Sequence, residues 1–291
     1  MGTMTESAKA LLPELIKIRR DFHEYPELSG KEEETAKKVA AYLKEMGCDQ
    51  VIEHVGGHGV IGVIKGASEG GVVALRADMD ALQIQEMNET EYRSRNDGVM
   101  HACGHDNHMT GLLGAAKLLL ERRDQIHGTV KLVFQPAEEL SPVGGSRGML
   151  ESGYLDDAKA VYGLHVWPDL PHGKVGVKAG PLMAATDHFT ITIHGKTAHG
   201  AKPDQGIDAV VLGAQFVMAA QSIVSRKVDP LDNAVVTFGI FNAGTRYNII
   251  AGECVLDGTV RTLNENTRDM IEDSMRKLLD EIGRASCRER V

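Results

Sequence analysis

The stretch Val130-Lys-Leu-Val-Phe134-Gln-Pro-Ala-Glu138-Glu139 contains the pattern that decides the fold. Its first five residues form a short apolar run typical of a buried strand, and polar residues follow once the run ends. Similar runs occur at residues 60–64, 72–75 and 160–166, and an apolar helix is predicted from about Met109 to Leu120. Because strands that alternate with helices favour parallel pairing, we predict an α/β fold with a mostly parallel sheet flanked by helices.

The pattern changes from about Met183 onward, which indicates a second domain. Strands are predicted at residues 189–193, 234–240 and 254–261, and helices at 207–224 and from about Thr267. This order predicts a small α+β unit of ferredoxin-like type. Gly180 and Pro181 mark a linker, so we place the domains at residues 1–182 and 183–281. The last ten residues, IGRASCRERV at 282–291, match the translation of a sequencing adapter, and we assign them as an artefact.

The composition excludes several classes of function. The 291 residues are 42% hydrophobic and 25% charged, which is ordinary for a globular protein. A net charge of -9 and the lack of a basic run disfavour a nucleic-acid partner. We expect a cytoplasmic protein without membrane contact, because the N-terminus lacks a signal-peptide pattern and no apolar run approaches about 20 residues. The four cysteines are scattered, which argues against a disulfide framework.

The segment HACGHDNH at residues 101–108 is the densest group of chemically active side chains. It holds four metal-competent side chains and a carboxylate just before the predicted helix. Cys103 and His105 can reach one ion if Gly104 lets the backbone turn tightly, and both residue types are ordinary ligands of zinc-like metals. Two other interpretations stay open: a buried free cysteine beside solvated histidines, and a Cys–His nucleophile pair.

Carboxylates and a histidine follow the predicted strands, at the ends where open α/β sheets bind ligands. Adjacent side chains of an extended segment diverge, so one of Glu138 and Glu139 can bind a metal while the other takes a proton from water. Solvated loop glutamates are the alternative. Asp80 could ligate a metal or orient a ligating imidazole, whereas Asp78 could cap the following turn. His165 ends an apolar run, and only the neighbouring motifs favour a ligand over a core histidine.

The second domain contains a polar loop and a polar turn. The loop GKTAHGAKPDQG at residues 195–206 includes His199, and loops hold functional residues disproportionately. Arg246 and Asn248 lie between two predicted strands, where a guanidinium and an amide could bind a carboxylate or amide substrate. By themselves, these segments also fit a solvated surface histidine and ordinary turn residues.

Six motifs together resemble the aminoacylase, hippurate hydrolase and auxin-conjugate hydrolase branch of the zinc-dependent exopeptidase family. They are RADMDAL, HACGHDNH, FQPAEE, GLHVWP, GKTAHGAKPDQGIDA and NIIAGE followed by GTVR. The resemblance implies a catalytic metal-binding domain with an inserted lid and dimerisation domain, two divalent metal ions (zinc or manganese) and a homodimer. Gln83 stands where the family commonly has proline. Family members also continue beyond the small domain, return to the main sheet and supply a final histidine ligand, so the catalytic domain is incomplete here.

The resemblance also implies roles for individual residues. Cys103, His105, Glu139 and His165 are expected as metal ligands, Glu138 as the catalytic base and acid, and Asp80 as the residue that orients a ligand. His199 is expected to reach a neighbouring subunit's active site, and Asn248 to help hold substrate. Arg246, from its place beside Asn248, is a further candidate for substrate binding. The predicted function is metal-dependent hydrolysis of the amide bond of N-acyl amino acids to a carboxylic acid and an amino acid. A Cys–His amidase and a noncatalytic metal-binding or dimerisation module are the alternatives.

Overall fold

The computed structural model describes residues 4–140 and 144–286, which form two compact units. The first unit is Met1–Pro171 and the second is His172–Val291. The domain limits expected from the sequence, with a boundary after residue 182, stay a prediction. Residues 287–291 of the predicted artefact lie outside the described residues, while residues 282–286 belong to a helix.

The first unit contains a five-stranded sheet with the order β1-β2-β4-β3-β5. Its elements are α1 (Met4–Glu24), α2 (Glu33–Glu45), β1 (Gln50–Val55), β2 (Gly59–Lys65), β3 (Ser68–Asp78), α3 (His105–Leu120), β4 (His127–Gln135), α4 (Gly145–Glu151) and β5 (Ala158–Gly163). Strand β3 is parallel to β4 and β5, but β2 is antiparallel to β1 and β4. The sheet is therefore mixed, which corrects the prediction of a mostly parallel sheet, while the α/β class is confirmed.

Short connections explain the antiparallel pairing. A tight turn through Gly56 and Gly57, both with positive φ, joins β1 to β2 and forces a hairpin. Only Gly66 and Ala67 separate β2 from β3, too few residues for a crossover between parallel strands. An apolar run predicts a buried strand without giving its direction, so the sequence pattern did not reveal this arrangement.

Helices cover both faces of this sheet. Val60 and Ile64 of β2 belong to a core cluster shared with α1, α2 and α3. Ile61 and Val63 belong to a second cluster with Met149 of α4. Side chains of a strand point alternately to opposite faces, so a continuous apolar run is what a strand covered on both faces requires.

The three parallel strands end at one edge of the sheet. Asp78 at the end of β3 pairs with Gln135 at the end of β4, and Gly163 at the end of β5 pairs with Arg76. The strand predicted at residues 160–166 therefore ends earlier than expected, and His165 lies in the following loop. This edge brings together the segments that contain the site residues predicted in the first unit.

The second unit is a three-stranded antiparallel sheet packed against two helices. Its elements are β6 (Ala185–His194), α5 (Ala209–Lys227), β7 (Ala234–Ala243), β8 (Glu253–Thr262) and α6 (Glu265–Ser286), with strand order β6-β8-β7. Cys254, Leu256 and Val260 alternate along β8 into a core shared with α5 and α6. The element order agrees with the predicted one, and the role of an inserted lid stays a prediction.

Helix α5 is long and apolar enough to span a membrane by length and composition. This corrects the expectation that no apolar run approaches that length. Among the described residues it is the one helix that meets the criterion. Its Leu212, Phe216 and Ile223 are buried in the core of the second unit, and a core helix of a soluble domain meets the same criterion.

Candidate metal centre

Gly104 forms the turn that precedes α3. Its φ is +87°, in the left-handed region, and Cγ2 of Val166 lies 2.4 Å from the position that a Cβ would occupy. Only glycine satisfies both conditions without strain. The turn places Cys103 just before the helix and His105 at its first position, so α3 begins earlier than the predicted Met109.

Candidate ligand atoms from several segments converge at the sheet edge. Within each of three groups these atoms lie within 4.8 Å of one another. The groups are Cys103, His105 and His165; Asp78, His105 and His108; and His105, Glu138 and Glu139. His105 is common to all three. The structure therefore brings together every site residue that the sequence predicted in the first unit except Asp80, which contacts His105 from the other side of the ring.

His105 is buried, and neither ring nitrogen has a hydrogen-bond partner in the described part of the chain. Nδ1 lies 3.3 Å from Oδ1 of Asp80, while Nε2 lies 3.6 Å from Oδ2 of Asp78 and 3.8 Å from Oε1 of Glu139. Burial lowers the pKa of His105, but the carboxylates of Asp80, Asp78 and Glu138 outweigh burial and raise it. Leaving a buried imidazole unpaired is costly, and a cation at Nε2 removes the cost. The residues fit a divalent metal.

Asp80 is fixed on the opposite side of the His105 ring. The hydroxyl of Ser29 donates to its Oδ2 at 2.7 Å, and the backbone N–H of Glu139 donates to the same oxygen at 2.9 Å. Burial raises the pKa of Asp80, but the nearby His105 ring and the hydrogen bonds from Glu139 and Ser29 outweigh burial and lower it. Asp80 is thus a charged carboxylate with Oδ1 turned to the ring, an arrangement that supports the predicted orienting role.

Cys103 and His165 lie side by side, with Sγ and Nε2 3.5 Å apart. Nδ1 of His165 donates to the carbonyl of Val166 at 2.6 Å, which leaves the lone pair on Nε2. Burial, followed by the negative charge of Glu139, raises the pKa of Cys103 to about 12. A cysteine nucleophile needs a lowered pKa, so this environment disfavours the Cys–His amidase. A cation, by contrast, offsets the negative charge and ionises the thiol.

Glu138 and Glu139 differ in exposure, although one carboxylate oxygen of each lies within 4.8 Å of the other. Glu139 faces His105, whereas Glu138 is exposed to solvent. Loss of hydration, followed by the carboxylates of Glu139 and Asp78, raises the pKa of Glu138. A carboxyl group with a raised pKa is suited to accept and return a proton near neutral pH. The buried carboxylate of Glu32 accepts a hydrogen bond from the N–H of Ala137 at 2.6 Å and so holds the turn before Glu138, a contact that sequence reasoning missed.

Asp78 and His108 are two further residues whose importance sequence reasoning missed. Nδ1 of His108 lies 2.6 Å from Oδ1 of Asp78, and a nitrogen of Arg76 donates to Oδ2 at 2.7 Å. Burial raises the pKa of Asp78, but His108, His105 and Arg76 outweigh it and lower the pKa to about 2. Asp78 thus binds side chains instead of capping a turn. Helical spacing was the available signal for His108, because residues three apart share a helix face with His105.

A second ionic cluster connects α1 to the start of α3. His23 lies between Asp106 and Glu86, with distances of 2.7 Å and 3.2 Å, and Arg19 pairs with Asp106 at 2.7 Å. The hydrogen bond to Asp106 raises the pKa of His23 despite burial. Burial raises the pKa of Asp106, but the bond from His23 and the nearby positive charges outweigh burial and lower it. Asp106, the residue next to His105, is therefore held to α1 by Arg19 and His23.

The remaining predicted residues, His199, Arg246 and Asn248, belong to the second unit. The N–H of Gly200 donates to the carbonyl of Asn248 at 2.8 Å, so the loop of His199 and the turn of Asn248 are neighbours. The N–H of Ala201 donates to Nδ1 of His199 at 3.1 Å. This leaves the proton of the neutral, exposed ring on Nε2. Arg246 is exposed, and the roles of all three residues stay predictions.

Known proteins of one peptidase family are similar to this chain. The model of the peptidase family M20/M25/M40 matches residues 74–284. The chain is 45% identical to an N-acyl-L-amino acid amidohydrolase of Geobacillus stearothermophilus, with 96% of this chain and 76% of that protein aligned. It is 41% identical to the hippurate hydrolase of Campylobacter jejuni, with 95% and 73% aligned. The chain thus spans about three quarters of each relative's length.

A solved structure is similar as well. The YXEP protein of Bacillus subtilis, described as a dinuclear metal-binding peptidase of the M20 family, superimposes with a TM-score of 0.82 at 40% identity. The match covers 96% of this chain and 72% of that one. The family match covers more than half of the chain, and relatives above 40% identity cover most of it. This chain therefore belongs to the peptidase family M20/M25/M40.

Proposed function

We propose that the protein hydrolyses the amide bond of N-acyl amino acids, in a metal-dependent reaction that yields a carboxylic acid and a free amino acid. The observation that supports this most directly is the set of ligand groups that share His105 at the ends of parallel strands. The names of the two relatives support the substrate class, because both act on N-acylated amino acids or hippurate.

Cys103, His105, Glu139 and His165 would hold two divalent ions, zinc or manganese. Thiolate and imidazole donors suit zinc, and carboxylate donors suit manganese as well. When bound, the ions supply Lewis-acid activation of a water molecule and of the scissile carbonyl. The chain's own residues then determine where protons move and how the substrate is held.

Glu138 is the proposed proton carrier. It accepts a proton from the water that attacks the carbonyl carbon and returns this proton to the leaving nitrogen, so the amine departs neutral. Its exposed position and raised pKa support both transfers. Asp80 orients the ring of His105 through Nδ1 and leaves Nε2 for the metal.

Residues of the second unit would bind the substrate. His199 presents an N–H at Nε2, which can donate a hydrogen bond to the carbonyl oxygen as negative charge develops there. Asn248 and Arg246 offer an amide and a guanidinium that can recognise the carboxylate of the amino acid. We extend the proposal to a cytoplasmic homodimer, in which His199 serves the neighbouring subunit. Sedimentation analysis of the purified chain tests the dimer.

A combined metal and activity assay tests the function. The purified chain is treated with a chelator, reloaded with zinc or manganese, and assayed for release of amino acid from N-acetyl and N-benzoyl substrates. We expect activity that falls with chelation and returns with metal. Metal binding without hydrolysis of either substrate would favour the noncatalytic module, and activity that resists chelation but is lost on alkylation would favour a cysteine amidase.

A further inference from the structure

We propose that His108 is a positioning residue that places His165 for metal binding through the backbone of Val166. The inference rests on the proposed function, because it concerns the same metal centre. It assigns a role other than metal ligation to a histidine that lies within a possible ligand group with Asp78 and His105.

Both ring nitrogens of His108 are already engaged. The N–H of Val166 donates to Nε2 at 2.9 Å, so this nitrogen holds the lone pair and Nδ1 holds the proton. Nδ1 lies 2.6 Å from Oδ1 of Asp78 and donates to it. A neutral imidazole has one donor and one acceptor nitrogen, so no lone pair remains for a cation. Proximity alone would include His108 among the ligands, and its hydrogen bonds exclude it.

The peptide groups of Val166 link the two histidines. The N–H of Val166 bonds to His108, and the carbonyl of Val166 accepts a hydrogen bond from Nδ1 of His165 at 2.6 Å. This second bond turns Nε2 of His165, with its lone pair, towards Sγ of Cys103, 3.5 Å away. The rings of His108 and His165 also pack together, with centroids 4.5 Å apart.

Asp78, which holds the ring of His108, is fixed in its place. Asp78 is buried at the end of β3 and is paired with Arg76 at 2.7 Å. By contrast, β5 ends at Gly163, so His165 lies beyond the hydrogen-bond ladder of the sheet. The hydrogen bonds from Asp78 through His108 to Val166 therefore fix the loop ligand His165 relative to strand β3.

Zinc titration of the purified chain tests this role separately from turnover. H108N keeps a donor for Asp78 but is too short to accept from Val166, whereas H108Q places an acceptor near the position of Nε2. We expect H108N to weaken zinc affinity about 10- to 100-fold, as is typical when a residue that orients a ligand is lost, and H108Q to recover most of the loss. In an H165A background, H108N should have no further effect.

Zinc affinity of H108N equal to that of the wild type would overturn the proposal, and so would an equal loss with and without His165. Nitrogen NMR of the wild-type chain gives a second test that needs no variant. We expect His108 to show the Nδ1–H tautomer before and after zinc addition, while His105 and His165 shift. A zinc-induced coordination shift at Nε2 of His108 would make it a ligand and overturn the inference. A wild type that binds zinc but hydrolyses nothing contradicts the proposed function alone.

Discussion

Substituting Gly104 by alanine should expose how tightly the metal-binding loop is packed. The substitution combines two costs. The φ of +87° is left-handed, which costs an L-residue about 1 to 2 kcal/mol. The new Cβ would also lie 2.4 Å from Cγ2 of Val166, and overpacking of this kind typically costs about 1 to 3 kcal/mol. We expect G104A to lower the free energy of unfolding of the first unit by about 2 to 5 kcal/mol.

Two glycines of the same unit separate these costs. Gly98 has a φ of +75° and nothing within 4 Å of its absent Cβ, so G98A should lose only the backbone cost of about 1 to 2 kcal/mol. Gly111, within α3, has ordinary φ and open space, so G111A should stabilise the unit by up to about 1 kcal/mol. Urea unfolding followed by tryptophan fluorescence reports on this unit, because Trp167 is the single tryptophan of the chain.

The comparison between variants refutes or supports the reasoning. G104A should be the least stable of the three and should also bind zinc more weakly, because a displaced Val166 moves His165. Equal destabilisation by G104A and G98A would show that Val166 does not pack against the turn. Stability of G104A equal to that of the wild type would contradict both parts of the argument.

Three further outcomes are expected. E138Q should keep its zinc and lose most hydrolysis of N-acetyl and N-benzoyl amino acids, and full turnover in this variant would refute the role of Glu138. C103S should bind zinc more weakly than C48S, a matched change at the other half-buried free cysteine of the first unit; equal zinc affinities would exclude the thiol as a ligand. His23 pairs with Asp106 and Glu86, and Arg19, His101 and Tyr92 lie beside it. Its pKa is raised above 6.5. The pairing therefore stabilises the fold fully below pH 6.5, and this stabilisation is lost as the pH rises through the raised pKa. In urea unfolding, the stability difference between wild type and H23Q should be largest below pH 6.5 and should shrink as the pH rises above this value, and a growing difference would contradict the sign.

The strand ends that form the site were predictable from the sequence, because a strand buried on both faces is a continuous apolar run. Residues 132–134, the end of the apolar run before Gln135, are buried, and the polar residues after the run lie at the sheet edge. Strand direction is set by connection length and by partners distant in sequence, so the hairpin of β1 and β2 was not predictable from apolar runs. The earlier start of α3 follows from the positive φ of Gly104, which residue type allows but does not require.

The contributions of Asp78 and His108 could not be predicted for a related reason. Each residue acts through a partner on another element, and only the packing of α3 against β3 brings the two within 2.6 Å. Likewise, the proximity of the His199 loop to Asn248 depends on a backbone hydrogen bond between segments far apart in the chain. Residue type indicated which side chains could bind a metal, whereas hydrogen-bond geometry decides which of their nitrogens remain free.

X-ray absorption at the zinc edge of the zinc-loaded chain tests the metal centre most directly. The account predicts one sulfur ligand at about 2.3 Å together with nitrogen and oxygen ligands at about 2.0 to 2.2 Å, and loss of the sulfur contribution in C103S. A zinc environment made only of nitrogen and oxygen in the wild-type chain would contradict it.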